Sequence, residues 1–178
     1  WSNSSTENTV YNLGFDLKPI EGLKISGQGI MNRTEYKYKT YTALQDEVNN
    51  FLTAASIPGT GIYTNQMNMS WTSRLRMQYL ATAEYQKAIG KHDFKALVGM
   101  SYENYNFQGL SASRKNFPTD GLTDINAGST AGQDISNGGE LQDNKLLSYF
   151  GRLNYAYDNK YLFEANLRAD ASSSFFKD

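Results

Sequence analysis

The stretch LLSYFGRLNYAYDNKYLFEANLRADASSSF, residues 146–175, decides the fold. It predicts a β-hairpin whose arms, 147–157 and 161–169, are joined by Asp158-Asn159-Lys160. Apolar and polar residues alternate along both arms, so one face of the hairpin is apolar and the other carries the charges. Each arm is about ten residues long, and its aromatic residues lie toward the turn. A long, two-faced strand with aromatic residues near its end is typical of a strand that crosses a membrane within a barrel.

Alternation by itself leaves a second interpretation open, because any antiparallel sheet with one wet face alternates in the same way. Strand length favours the membrane. Ordinary strands have about five or six residues, whereas a tilted strand that spans a bilayer needs about 9 to 11. Both arms of this hairpin reach the longer length.

The composition of the 178-residue chain excludes several classes of protein. Its 17 basic and 18 acidic side chains nearly cancel, so there is no electrostatic argument for nucleic acid. The chain has no cysteine, which excludes a disulfide frame and a thiolate metal site. Mean hydropathy is low, at -0.59, although aromatic residues make up 13% of the chain. That combination is typical of a barrel, in which half of every strand faces water.

The rest of the chain repeats the pattern of the opening stretch. Two more hairpins are predicted at 9–32 and 71–105, and the third covers 147–170. Long polar connections at 33–69 and 106–145 separate them, whereas the turns within the hairpins are short. Outer-membrane barrels alternate short periplasmic turns with long extracellular loops in this way. We therefore predict an all-β fold: residues 1–178 are part of one outer-membrane domain, an antiparallel transmembrane β-barrel segment of about six strands.

One part of the first long connection changes its period. Between residues 41 and 56 the apolar residues recur at helical spacing, which predicts a short amphipathic helix. We expect its apolar side to dock on the neighbouring loop. The apolar positions are Leu44, Val48, Phe51, Leu52 and Ala55.

Seven charged residues on the polar sides of the strands are candidates for the wall of a water-filled lumen. A wet wall of mutually paired charges explains them with fewer assumptions than a catalytic group does. The sequence contains no nucleophile and base pair, no P-loop and no zinc motif, so we do not expect an enzyme. The seven are Arg74, Arg76, Glu84, Arg152, Glu164, Arg168 and Asp170.

Two weaker patterns are interpreted as structural. Asp120, Asp124 and Asn126 place oxygen ligands at short spacing, but the closing Glu of an EF-hand is absent, which favours a capped loop over a calcium site. His92, the single histidine, lies at a hairpin turn and is interpreted as a solvated turn residue. We therefore expect no metal site and no cofactor.

Two stretches carry a resemblance to a known family. NLGFDLKPIEGLKI, residues 12–25, and the stretch at 146–175 resemble the barrel of SusC/RagA-type TonB-dependent transporters, the large outer-membrane importers of Bacteroidetes. That family usually follows its Arg-Asp with Gly-Ser-Ser-Arg-Phe, whereas Asp170 is followed here by Ala-Ser-Ser-Ser-Phe. The resemblance implies a barrel of about 22 strands with an N-terminal plug, energised through TonB and capped by a SusD-like surface lipoprotein. Six strands cannot close such a barrel, so we expect a middle segment of the transporter.

The expected function follows from this resemblance: part of the barrel wall of an importer of oligosaccharides or peptides in the bacterial outer membrane, in contact with lipid. The alternatives are a soluble or surface-anchored β-sandwich that binds carbohydrate, and a passive porin or adhesin barrel. Six aromatic residues of the predicted extracellular connections are candidates for contact with the lid or for stacking on a sugar ring, although loop packing is the simpler role for most. They are Tyr36, Tyr38, Tyr41, Tyr63, Phe107 and Phe117.

Overall fold

The computed structural model describes residues 1–174 and contains one sheet of six strands. The strands follow each other in the sheet in the order of the sequence, so each one pairs with its neighbour along the chain. This confirms the predicted all-β antiparallel fold. The strands are β1 (Ser2–Ile20), β2 (Leu23–Thr42), β3 (Gln66–Ile89), β4 (His92–Lys115), β5 (Ile135–Tyr157) and β6 (Tyr161–Ser172), and two short 3-10 helices cover Ile125–Ala127 and Gly132–Asp134.

The three short turns lie where the sequence predicts them. The first turn needs a glycine, because Gly22 has a φ of 81° and a Cβ there would collide with the carbonyl oxygen of Gln86. In the third turn Asp158 and Asn159 both have positive φ, at 52° and 53°, a conformation that Asn and Asp tolerate better than most residues. The short turns therefore follow from local turn chemistry.

The strands are longer, and the long connections shorter, than the sequence pattern predicts. The connection predicted at 33–69 is reduced to 43–65, and the one predicted at 106–145 is reduced to 116–134. A hairpin extends for as long as its backbone N–H and C=O groups find partners, whatever the side chains are. Alternation of side chains is imposed only where one face must avoid water, so it does not mark the ends of these strands.

The helix predicted within residues 41–56 is wrong. The connection instead forms two isolated antiparallel bridges, Gln45 with Ile62 and Asn49 with Ser56. Within the segment closed by the second bridge, the side-chain oxygen of Asn50 accepts hydrogen bonds from the backbone N–H groups of Leu52 and Thr53 and closes a turn. An Asn side chain that bonds its own backbone competes with helix formation. The expected docking fails too, since Phe51 is 99% exposed.

The chain divides into two compact units. The connection unit comprises Trp1–Glu7, Glu35–Ser73 and Gln108–Leu141, and holds both long connections. The turn unit comprises Asn8–Thr34, Arg74–Phe107 and the described part of Gln142–Asp178, and holds the three short turns. Among residues 1–174, the buried hydrophobic side chains are Tyr41, Met67 and Phe117, and all three belong to the connection unit.

Candidate functional site

The polar side of β5 and β6 is set by their register. Ser148 pairs with Asp170, Phe150 with Arg168, Arg152 with Asn166 and Asn154 with Glu164, and directly opposed residues of an antiparallel pair share a face. We call this face of the turn unit, together with the matching positions of β1 to β4, the polar face. The four candidates on β5 and β6 are thus neighbours on one surface.

These β5 and β6 candidates form two hydrogen-bonded groups within one row of the polar face. Arg152 donates from Nε to Oδ1 of Asn166 at 2.9 Å, and Asn166 donates in turn to Glu164 at 2.7 Å. Arg168 donates to Asp170 at 2.9 Å, and its other nitrogen donates to the hydroxyl of Ser148 at 3.1 Å. Charges and amides therefore satisfy one another along the row.

On β3 and β4 the candidates pair with partners that the sequence analysis did not name. Arg76 lies 3.5 Å from a carboxylate oxygen of Glu103, which also accepts a hydrogen bond from Gln78 at 2.6 Å. Glu84 lies 3.1 Å from the amino nitrogen of Lys95. These ion pairs are partly exposed, and exposed pairs contribute little to stability. They place opposite charges side by side on the polar face.

Two arginines of the polar face also lie over aromatic rings. The guanidinium of Arg74 is 5.6 Å from the centre of the Phe107 ring, and that of Arg76 is 6.0 Å from the Tyr105 ring. A guanidinium over a ring face is held there by the ring quadrupole. Phe107 was predicted to lie in a connection, and this is wrong: it belongs to β4, which extends to Lys115.

The opposite side of the same strands is apolar. Across β5 and β6 it pairs Leu153 with Ala165, Tyr155 with Phe163 and Gly151 with Leu167. Its side chains are largely uncovered by protein: Leu167 is 80% exposed, Leu13 79% and Val98 62%. Soluble monomers rarely expose a contiguous apolar surface of this kind. No helix within residues 1–174 has the length and apolar character that crossing a bilayer requires.

His92 belongs to an aromatic cluster near the short turns. Its Nδ1 lies 2.8 Å from the hydroxyl of Tyr155, and its ring is 5.0 Å from the ring of Tyr157 and 6.3 Å from that of Phe94. The residue is exposed and directly follows the turn, as the interpretation as a solvated turn residue predicts, and it also has aromatic partners that the turn does not supply. Phe94 is its neighbour on β4, but Tyr155 and Tyr157 come from β5, about sixty residues further along the chain, so the local sequence does not reveal them.

The connection unit has a small core of its own. Tyr41, Met67 and Phe117 are its buried members, and Leu122, Ile125 and Ala127 pack against them. The ring of Tyr41 meets the edge of the Phe117 ring at 5.4 Å. Tyr41 and Phe117 were candidates for contact with a partner, and the structure places both in this core.

Asn65 and Asp120 hold that core together. The buried Asn65 accepts from the backbone N–H of Phe117 at 2.6 Å and donates to the carbonyl of the same residue at 3.0 Å. Asp120 accepts from the hydroxyl of Tyr41 at 2.7 Å and from the amide of Asn65 at 3.3 Å. Burial, and then the Asp120 carboxylate, raise the pKa of Tyr41 to about 12. The Tyr41 hydroxyl, followed by Asn65 and Leu44, lowers the pKa of Asp120.

Asp124, a second aspartate of the 116–134 connection, also has a structural role. Asp124 accepts from the backbone N–H of Asn126 at 2.9 Å and caps the first 3-10 helix, as the capped-loop interpretation predicts. Within residues 1–174, His, Cys, Asp and Glu side chains nowhere gather in groups of three or more that could hold a metal ion.

Of the other candidate aromatic residues, Tyr36 and Tyr63 are exposed and Tyr38 is half-buried. Tyr36 and Tyr38 lie in β2 rather than in a connection, and their rings stack at 6.4 Å. Tyr63 lies in the 43–65 connection and is 69% exposed. Asn65, Met67 and the hydrogen bonds of Asp120 could not be predicted, because an isolated Asn or Met in a polar stretch gives no periodic signal.

Comparison with known proteins adds an independent line of evidence. No family model matches the chain. The chain is 34% identical over 108 residues, 60% of its length, to the TonB-dependent receptor P3 of Formosa agariphila. It is 32% identical over 111 residues, 59% of its length, to the TonB-dependent receptor SusC of Bacteroides thetaiotaomicron. The matches span 10% of each relative.

Solved structures agree with the sequence relatives. The chain matches the RagAB peptide transporter with a TM-score of 0.81 and 25% identity, over 98% of this chain and 19% of the matched chain. The closed-closed state of the RagAB peptide importer matches with a TM-score of 0.78 and 26% identity, over 98% of this chain and 18% of the other.

The long, two-faced antiparallel strands define the class: a segment of a transmembrane β-barrel. Within that class, the chain is similar in both sequence and fold to SusC-like TonB-dependent transporters, which confirms the predicted resemblance to one segment of their barrel.

Proposed function

We propose that this chain forms part of the barrel wall of an energy-coupled importer of oligosaccharide or peptide nutrients in the bacterial outer membrane. The observation that carries the proposal is the similarity of 98% of the chain to the RagAB peptide transporter, at a TM-score of 0.81. The two sequence relatives, both called TonB-dependent receptors, support it. The β-sandwich alternative finds no support, since the described strands form one sheet and not two.

In this proposal the two faces of the turn unit have different solvents. The apolar face contacts lipid, and the polar face lines a water-filled path. Arg74, Arg76, Glu84, Arg152, Glu164, Arg168 and Asp170 line that path. Because most of these charges are already paired with neighbours, the wall stays hydrated without trapping a charged cargo strongly.

In this proposal the two long connections help to capture the cargo. If the short turns face the periplasm, residues 43–65 and 116–134 lie outside the cell, where a SusD-like lipoprotein would cover them. The accessible Tyr36, Tyr38 and Tyr63 are then the residues for lid contact or for stacking on a sugar ring. Phe107, beside Arg74 on the polar face, faces the path. TonB would act through parts of the transporter outside this chain.

Uptake measurements test this proposal. In the full-length protein, Tyr36→Ala with Tyr38→Ala, and Tyr63→Ala, are expected to lower cargo uptake or retention of the lid several-fold while the barrel still inserts. Tyr11→Ala, a tyrosine of the apolar face that is 61% exposed, is the matched control and should leave both unchanged. Uptake by the wild type should stop when the proton-motive force is collapsed. Uptake that continues would identify a passive porin and contradict the proposal.

A further inference from the structure

An open groove in the connection unit is lined in part by Tyr38, but its apolar patch and its lysines have no role in the function proposed above. Its volume is about 750 Å³, and its walls come from β1 to β4 and the first 3-10 helix. Its lining includes a patch of apolar side chains and two lysines, Lys37 and Lys39. The apolar side chains are Met69, Trp71, Leu110, Ala112 and Ile125.

The groove lies along a strand whose alternate positions are apolar. Trp71 and Met69 occupy the same alternate positions of β3 as Leu75, Met77 and Tyr79, which we assign to lipid. Tryptophan is enriched where a membrane protein leaves the hydrocarbon and meets the headgroups. On β3, Trp71 therefore continues the apolar row on the side of the long connections.

The two lysines carry the positive charge of the groove. The amino nitrogen of Lys37 lies 3.9 Å from Glu7 and 4.0 Å from Glu35, at the outer limit of an ion pair, and its side chain is 54% exposed. Lys39 donates to the carbonyl of Thr123 and lies 5.7 Å from the centre of the Trp1 ring. Ion pairs of this length with an exposed lysine are weak, so a phosphate can compete with the two carboxylates for Lys37.

We propose that this groove binds the phosphorylated sugar headgroup of an outer-leaflet lipopolysaccharide. The Trp71 ring offers an apolar face to a sugar, and Lys37 and Lys39 offer charge-assisted hydrogen bonds to a phosphate. The residues that line the groove include two cations and no anion, so an anionic glycolipid matches both its charged part and its apolar part, whereas a purely apolar protein segment matches only the second. The inference rests on the proposed outer-membrane location.

Glycolipid binding by the purified full-length protein tests the inference. Delipidated protein in detergent is titrated with diphosphorylated rough lipopolysaccharide, with the enzymatically dephosphorylated form as the comparison probe. Each basic residue near an anionic lipid contributes about 1 kcal/mol, so Lys37→Gln with Lys39→Gln should weaken binding of the phosphorylated form roughly tenfold or more. Lys24→Gln with Lys95→Gln removes the same charge from the polar face, and should change binding less than about twofold.

A second variant separates loss of charge from a local folding defect. The double variant also removes the hydrogen bond from Lys39 to the carbonyl of Thr123, whereas Lys37→Gln leaves that bond in place. Lys37→Gln alone is expected to weaken binding about threefold to fivefold. The inference is overturned if both lysine variants bind the phosphorylated form as tightly as the wild type. It is equally overturned if Leu110→Ser leaves glycolipid binding unchanged but abolishes retention of a lid protein or of a second copy.

Two different results would contradict the proposed lipopolysaccharide binding and the proposed function. Wild-type protein that does not fractionate with the outer membrane or show a heat-modifiable barrel would contradict the location itself. If the protein inserts and imports normally but the Lys37 and Lys39 variants bind glycolipid like the wild type, only the proposed lipopolysaccharide binding is contradicted.

Discussion

The connection unit and the turn unit keep their apolar side chains from water in different ways. In the connection unit Met67 is fully buried, and Tyr41 and Phe117 are 3% and 5% exposed. In the turn unit Leu13, Val98 and Leu167 are more than half exposed, and the largest exposed fraction of the three is 80%. The first unit has a protein core, and the second has an apolar face without one.

This contrast shows which interactions stabilise each unit. The connection unit is held by packing and by the hydrogen bonds of Asn65 and Asp120, as in a soluble protein. The turn unit has backbone pairing between its strands and, in the proposed function, lipid to cover its apolar face. The effect of a substitution on stability should therefore depend on how deeply the residue is buried in the connection unit. In the turn unit it should depend on whether the residue lies on the apolar or the polar face.

The largest effect is expected for a charge placed on the apolar face. Ala81→Arg in the full-length protein should reduce insertion and lower the stability of the inserted barrel by about 2 to 4 kcal/mol, because lipid does not solvate a guanidinium. Thr82→Arg, one residue further along β3 and on the polar face, is the matched control and should be nearly neutral. Denaturant midpoints in lipid vesicles measure both, and equal losses would remove the distinction between the faces.

A smaller, local effect is expected for Asn65→Ala. The substitution leaves the backbone N–H and C=O of Phe117 without their buried partner, at a cost of about 1 to 3 kcal/mol. Hydrogen exchange in the 116–134 connection should speed up, while exchange in β5 and β6 stays unchanged. Asn50→Ala, in the exposed turn of the 43–65 connection, is the control. Unchanged exchange around Phe117 would show that the cluster does not depend on Asn65.

The smallest effect is expected from pH and is confined to the connection unit. The pKa of Tyr41 is raised to about 12. Its contribution to the stability of the connection unit is therefore complete below its ordinary pKa of 10.0 and is lost as the pH rises from there. The pKa of Asp120 is lowered from 3.8, so its contribution is present above that value and is lost as the pH falls below it. Protection of the Phe117 segment, corrected for intrinsic exchange, should therefore plateau between these limits.

Tyr41→Phe provides the control for the pH experiment. The variant cannot ionise at this position, so the loss of protection at alkaline pH should disappear. The pH dependence of the loss on acidification should also change, because Asp120 has lost its main hydrogen-bond donor. An alkaline loss that persists in the variant would assign the titration to another group.

The turn unit could be predicted from sequence because its faces are imposed residue by residue. The alternation of Leu153 with Arg152 gives the strand, its faces and the neighbouring turn, since lipid and water each exclude one class of side chain. The ends of the strands are not specified in this way. Backbone pairing carries β5 back to Ile135, through residues whose side chains show no pattern.

The connection unit could not be predicted from local patterns. Its core joins Tyr41, Met67 and Phe117, which are far apart in sequence, and its helix-like spacing at Leu44 and Val48 belongs to a bridged turn region. Short-range periodicity cannot report contacts between distant segments. The sequence supplied the candidate aromatics Tyr41 and Phe117, and only the fold assigns them to packing.

The orientation of the two faces of the turn unit is the central claim, and thiol labelling in membranes tests it most directly. Single-cysteine variants of the full-length protein, otherwise free of cysteine, are exposed to a water-soluble thiol reagent. Cysteine at Arg76, Arg152, Glu164 or Arg168 should be labelled. Cysteine at Tyr79, Val98, Leu153, Phe163 or Leu167 should be protected until the membrane is dissolved. Equal labelling of the two sets would contradict the assignment of one face to lipid and the other to water.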